Sequence, residues 1–167
     1  WLPSARVLNT ATRFLRPTPD TTLTIPSTAS KVITVGAYNS YYNSYADFSG
    51  RGFTRLTNQV KPDLAAPGVG IMAPAVAPGV NVRTTAVGGG VTVVSGTSFA
   101  TPFVTGASAL LMEWGIVRGN DPFLYGEKVK AYLRRGAKKL PGIAEYPNPL
   151  VGYGGLCVSN SIPKYLV

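Results

Sequence analysis

The chain has 167 residues, 45% of them hydrophobic, with 16 Lys and Arg against 7 Asp and Glu and no histidine. This length and apolar content support one globular domain with a real core, and the sole cysteine, Cys157, rules out an internal disulfide. A net charge of +9 raises nucleic acid as a partner, a question that only the placement of the basic residues decides.

Trp1-Leu2-Pro3 has neither an initiator methionine nor a basic region before an apolar run, so no signal peptide opens the chain and its start reads as a cut. Residues 1–24, with Arg13, Arg16, Pro17 and Pro19 and little periodicity, read as a connecting arm from a missing upstream region, and residues 25–167 as the folded part. Residues 31–37 carry the β-branched run Val32, Ile33, Thr34 and Val35 between turn formers, which predicts a buried parallel strand. Tyr38, Tyr41, Tyr42 and Tyr45 follow, as a ligand surface or as a half-exposed covering, the second being favoured.

Residues 72–81 are rich in proline and alanine and predict an irregular surface loop. Gly88, Gly89 and Gly90 then allow close backbone approach ahead of a short strand that delivers Ser95 and Ser98. This is no phosphate loop, because no lysine stands before the Ser or Thr that would close it, and no Gly-x-Ser-x-Gly elbow is present.

Residues 99–117 are apolar apart from their hydroxyl residues and Glu113. Phe99, Phe103, Val104, Leu110, Leu111, Met112 and Trp114 leave no polar face, and a helix apolar all round is a buried helix. Pro102 costs least in a first turn, so the helix is predicted to start near Thr97 or Ser98. Ser95, Thr97 and Ser98 then read either as caps of a core helix or as a hydroxyl nucleophile set where free N–H groups favour negative charge. Pro102, the threonines and Glu113 also interrupt the stretch as a membrane span, so none is expected.

Residues 126–135 predict an amphipathic surface helix with Val129, Tyr132 and Leu133 on one face. Lys128, Lys130, Arg134, Arg135, Lys138 and Lys139 crowd this region, with Lys130, Arg134 and Lys138 at shared-face spacing. Aromatic residues are not interleaved as stacking platforms, so a solvated helix face is favoured over a nucleic-acid patch and no nucleic-acid partner is expected. Cys157, within the glycine-rich run ending at Val158, reads as a small buried apolar residue.

Gly96-Thr97-Ser98-x-Ala100-x-Pro102-x-Val104-x-Gly106 resembles the nucleophile motif of the subtilisin-like serine peptidases, the subtilases of peptidase family S8. Segments 25–37, 46–52, 61–68 and 152–158 resemble the same family in the same order, and segments 21–26, 121–126 and 145–149 look most like its clostridial members, including the Csp germination group. The resemblance implies an α/β fold, the C-terminal portion of a subtilisin-like three-layer fold with a mainly parallel sheet and a buried central helix starting at the nucleophile.

By the same resemblance Ser98 is the nucleophile, its own backbone N–H contributes to the oxyanion hole, and Gly88, Gly89, Gly90 and Thr97 bind substrate. Asp63 is structural, because the family's catalytic aspartate lies near the N-terminus.

A serine peptidase of this type also needs a histidine base, an aspartate to orient it and an oxyanion asparagine. The family order places all three upstream of Ile25, and Asn9, flanked by Leu8 and Thr10, lacks the family's Gly-Asn-x-Gly setting. The chain therefore reads as the nucleophile-bearing fragment of a serine endopeptidase that works through an acyl-enzyme and is inactive alone. The alternative is a pseudopeptidase acting as a binding or signalling module, for example in spore germination.

Its expected partners are a peptide or protein substrate and the missing N-terminal part that carries Asp, His and Asn. No cofactor and no metal site are expected, since the acidic residues do not cluster to support the structural calcium common in the family. A secreted or spore-associated bacterial location fits this reading. A helix apolar all round needs neighbours on every side, so either the upstream part stays bound or a large apolar surface is exposed.

Overall fold

The computed structural model describes residue 9, residues 11–74 and residues 91–163. Its strands are β1 (Val35–Asn39), β2 (Ser44–Tyr45), β3 (Gly52–Phe53), β4 (Val60–Lys61), β5 (Leu64–Pro67), β6 (Ile71–Pro74) and β7 (Val91–Val94). The helices are α1 (Thr97–Met112), α2 (Gly126–Gly136) and α3 (Val158–Ser161), with a π-type turn over Glu113–Val117 prolonging α1.

The central sheet has the order β2-β1-β5. β1 and β5 run parallel with Val35 opposite Leu64, while β1–β2, β3–β4 and β6–β7 are antiparallel. The α/β class holds, but parallel pairing is confined to β1–β5 among the described strands. β1–β2 and β3–β4 are joined by short hairpin connections, which can only return antiparallel. The predicted strand over 31–37 begins four residues late, at Val35, because Thr34 spends its N–H on the Asp63 carboxylate instead of a ladder.

Side-chain alternation divides this sheet between two cores. Ala37, Leu64 and Ala66 join Ala100, Val104, Ala107 and Leu111 of α1 in the larger one. On the opposite face Ala65 packs with Leu140 and Val151, and with the partly buried Tyr38 and Tyr45. One helical layer, the sheet and an irregular layer built from residues 138–155 therefore make up the three layers.

Two of the four tyrosines, Tyr38 and Tyr45, thus cover the sheet, and the other two stand at the hairpin tip with rings 4.9 Å apart. Residues 72–74, expected in a loop, instead close β6 against β7, where Pro74 ends the ladder opposite Val91. A strand end tolerates a proline that donates nothing. Residues 75–81 lie outside the described residues.

α1 departs most from expectation. It buries only the stripe Ala100, Val104, Ala107 and Leu111, while Phe103, Leu110 and Met112 are exposed by 43–51%. The sheet and α2 reach one side of it, and no described element covers the other. Thr97–Val117 is long and apolar enough to cross a membrane by composition, with mean hydropathy 1.2, yet its buried stripe packs on sheet strands, as a core helix does.

α2 also corrects a reading. Val129 and Leu133 are buried as predicted, but so is Lys130, whose Nζ donates to the Ser30 carbonyl at 2.5 Å. Arg134 donates to Asp63 and Lys128 to Asp121 at 2.6 Å. Half of the expected solvated basic face is therefore spent on internal partners.

Asp63 is fully buried and answers three donors. Its Oδ2 accepts from the Thr34 N–H at 2.6 Å and from Lys61 Nζ at 2.8 Å, and its Oδ1 accepts from Arg134. Lys61, 1% exposed, also donates to the Val32 carbonyl at 3.1 Å. Removing one partner of such a group leaves an uncompensated buried charge, a loss of about 3–5 kcal/mol. Asp63→Ala is expected to lower the unfolding free energy by about that amount in denaturant titration.

Cys157 is buried as predicted, with Sγ 3.3 Å from the Ser159 hydroxyl. Burial pushes its thiol up, but hydrogen bonds from Ser159 and Asn160 and the charge of Lys138 leave it below its ordinary value.

Asp121 accepts from Lys128 and from the Tyr132 hydroxyl, the latter at 3.0 Å. The Lys128 hydrogen bond holds its carboxyl below the ordinary 3.8, against the opposing effect of desolvation. A carboxyl depressed in the folded state adds stability that is complete above its unfolded pKa and lost as pH falls through the folded value. Asp121→Asn is therefore expected to be less stable than wild type at neutral pH, with the gap closing below about pH 4 in a series of denaturation midpoints.

Candidate active site

β7 runs directly into α1 through Ser95 and Gly96, so Ser98 becomes the second residue of the helix. Its side chain is exposed and makes no hydrogen bond among the described residues. The N-cap is Gly96 at φ 153°, which has no side chain to cap with, and no acidic residue stands in the first turn. No side chain therefore caps the first-turn N–H groups, of which that of Phe99 donates to the Gly96 carbonyl at 3.0 Å, and they stand at the positive end of the helix dipole.

The capping alternative for the three hydroxyls fails on this geometry. Ser95 Oγ instead accepts from the Gly70 N–H at 3.0 Å. The hydroxyls further along turn inward on the helix itself, Thr101 donating to the Thr97 carbonyl at 3.0 Å and Thr105 to the Thr101 carbonyl at 3.2 Å. Pro102 lies one turn deeper than a first-turn proline. The bond it forfeits is the one to the Ser98 carbonyl, four residues back.

The corner under Ser98 is built from small residues. Gly96 donates its N–H to the Gly68 carbonyl at 2.8 Å. A Cβ on Gly68 would lie 2.6 Å from Ala37 Cβ, 3.0 Å from the Gly96 carbonyl and 3.3 Å from Ala100 Cβ. Nothing larger than glycine fits where the end of β5 meets the start of α1.

Thr97 lines a pocket of about 430 Å3 with Thr22, Thr24, Val35, Asp47 and Phe48 among its walls. Residues 20–24 close it by docking on the Arg51 turn, where Thr22 donates its N–H to the Arg51 carbonyl at 3.0 Å and Asp20 pairs with Arg51 at 3.2 Å. Gly88, Gly89 and Gly90 lie outside the described residues. Asn9 uses its side chain locally, accepting from the Ala11 N–H at 2.8 Å. Among the described residues no three His, Cys, Asp or Glu side chains stand together as a metal cage.

Sequence reasoning missed the Ser95–Gly70 contact and the walls contributed by Asp47 and Phe48. The small-residue run Ala65-Ala66-Pro67-Gly68 was the available signal for the close approach of β5 to the start of α1 at Gly68.

The subtilase family model matches residues 13–154. The chain belongs to the subtilase family. The Serine protease AprX of Bacillus subtilis is 35% identical over 155 residues, covering 87% of this chain and 33% of that protein. The CspB protease of Clostridium perfringens is 47% identical with a TM-score of 0.79, over 92% of this chain and 30% of the other, in line with the Csp-like segments. The prenylagaramide maturation protease PagA is 29% identical with a TM-score of 0.59, over 82% of this chain and 43% of the other. The chain thus spans about a third of the AprX length.

Gly68→Ala is expected to push the start of α1 off β5 and to destabilise the fold by about 1–3 kcal/mol, the usual size for overpacking. Thermal unfolding of the variant beside Gly126→Ala, where an added Cβ meets nothing within 4 Å and the backbone is not left-handed, checks it.

Proposed function

We propose that this chain carries the nucleophile of a serine endopeptidase, and that Ser98 attacks the peptide carbonyl once a histidine supplied from outside these residues takes its proton. The observation that carries this reading is an exposed serine on the first turn of a helix whose N–H groups no side chain caps. Charge developing on the carbonyl oxygen would be met by the Ser98 N–H and the helix dipole, in a place that needs no reorganisation. The peptide C–N bond would then break as the histidine returns the proton to the leaving amine, water would attack the resulting acyl-enzyme to release the acid and restore Ser98, and the Thr97 pocket would hold a side chain of the substrate.

The chain has no histidine, so the proton acceptor, its aspartate and the oxyanion asparagine belong to a segment that packs against it. The uncovered side of α1, with Phe103, Leu110 and Met112, supports that arrangement. Thr101 and Thr105 on α1 satisfy their hydroxyls within the helix, so covering them strands no polar group. The 167 residues alone are expected to hydrolyse no peptide.

Labelling of the natural full-length protein with a fluorophosphonate, followed by peptide mapping, tests the assignment. The label is expected on Ser98, with Ser98→Ala lowering turnover on the order of 10⁶-fold, the size of the loss in subtilisin itself. A full-length protein that binds peptides but takes no label at Ser98 is instead the pseudopeptidase.

A further inference from the structure

The register between β6 and β7 ends at Ile71 opposite Val94. The next rung would pair Gly70 with Ser95, and there a side chain replaces the backbone. Ser95 Oγ accepts the Gly70 N–H at 3.0 Å, while one residue later Gly96 donates to the Gly68 carbonyl at 2.8 Å. Both flanking glycines hold positive φ, Gly70 at 65° and Gly96 at 153°. The strand therefore stops pairing through its backbone and swings outward, with a hydroxyl keeping the last rung closed.

From this we infer that Ser95 is a positioning residue for Ser98, an inference that rests on the nucleophile reading above. Only Gly96 and Thr97 separate them, and the freedom in the connection lies in the turn through Gly96. The Gly68–Gly96 bond fixes one point of that turn and the Ser95–Gly70 bond a second. Two points set the direction in which α1 leaves the sheet, and with it where the Ser98 hydroxyl and first-turn N–H groups stand relative to the Thr97 pocket. Ser95 is itself exposed and belongs to neither hydrophobic core, so the hydroxyl contributes direction more than stability. An orienting contact of this kind bears on the chemical step, since small misplacements of a reacting group cost rate steeply.

Thr and Val are nearly the same shape and differ in one hydroxyl, so Ser95→Thr and Ser95→Val isolate the contact. In the natural full-length protein, Ser95→Val is expected to slow fluorophosphonate acylation of Ser98 and to lower kcat by about tenfold, the rate equivalent of one hydrogen bond. KM and the melting temperature should hold, and Ser95→Thr should recover most of the rate. Equal rates for the two variants overturn the inference, as does a loss in Ser95→Val that follows the melting temperature. If Ser98→Ala still takes the label, the nucleophile reading itself fails. Full-rate Ser95→Val beside an unlabelled Ser98→Ala removes only the positioning role.

Discussion

A carboxylate removed from water must be met by charge and by hydrogen bonds on its remaining lone pairs, and Asp63 is met on both oxygens. Its partners come from three elements: the Thr34 N–H ahead of β1 and Arg134 on α2, 29 and 71 residues away, and Lys61 at the end of β4, two residues before it. The backbone of the same residue accepts from Tyr153 and donates to Thr34, tying the irregular layer and the start of β1 to β5. Lys61 and Lys130 extend this hold to the carbonyls of Val32 and Ser30. The contact of α2 with the turn before β1 is thus electrostatic at its centre and apolar only around it.

That anchored β5 is the floor on which α1 stands. Ala37, Ala66 and Ala100 are all fully buried, and with Gly68 they let helix and sheet meet at backbone distance. Small residues at this crossing leave little dispersion energy per side chain, but they hold the helix start in one place. The serine that the family resemblance singles out sits at the end of that construction, exposed on a rigid element, which is where a reacting group gains most from its support.

The far side of α1 has a different character. Its large side chains are half in solvent, and its exposed threonines have already turned their hydroxyls back on the helix. The chain spans about a third of AprX and of CspB.

Some of this was legible in residue order alone. The start of α1, the strand before it and the apolar face of α2 follow from local pattern, because periodicity, glycine and proline act within a few residues of themselves. The motif around Ser98 carries the family for the same reason: its residues are contiguous. Tertiary structure alone decided which faces were covered and which charges were spent. Lys130 and Arg134 read as solvated because their spacing says only that they share a helix face, and not that Ser30 and Asp63 wait beneath it, 100 and 71 residues away. α1 read as buried all round because composition records what a helix needs, whereas burial depends on the neighbours that fold against it. Ser95 likewise read as a cap, since the Gly70 N–H that takes its hydroxyl lies 25 residues back and meets it only through the antiparallel closure of β6 on β7.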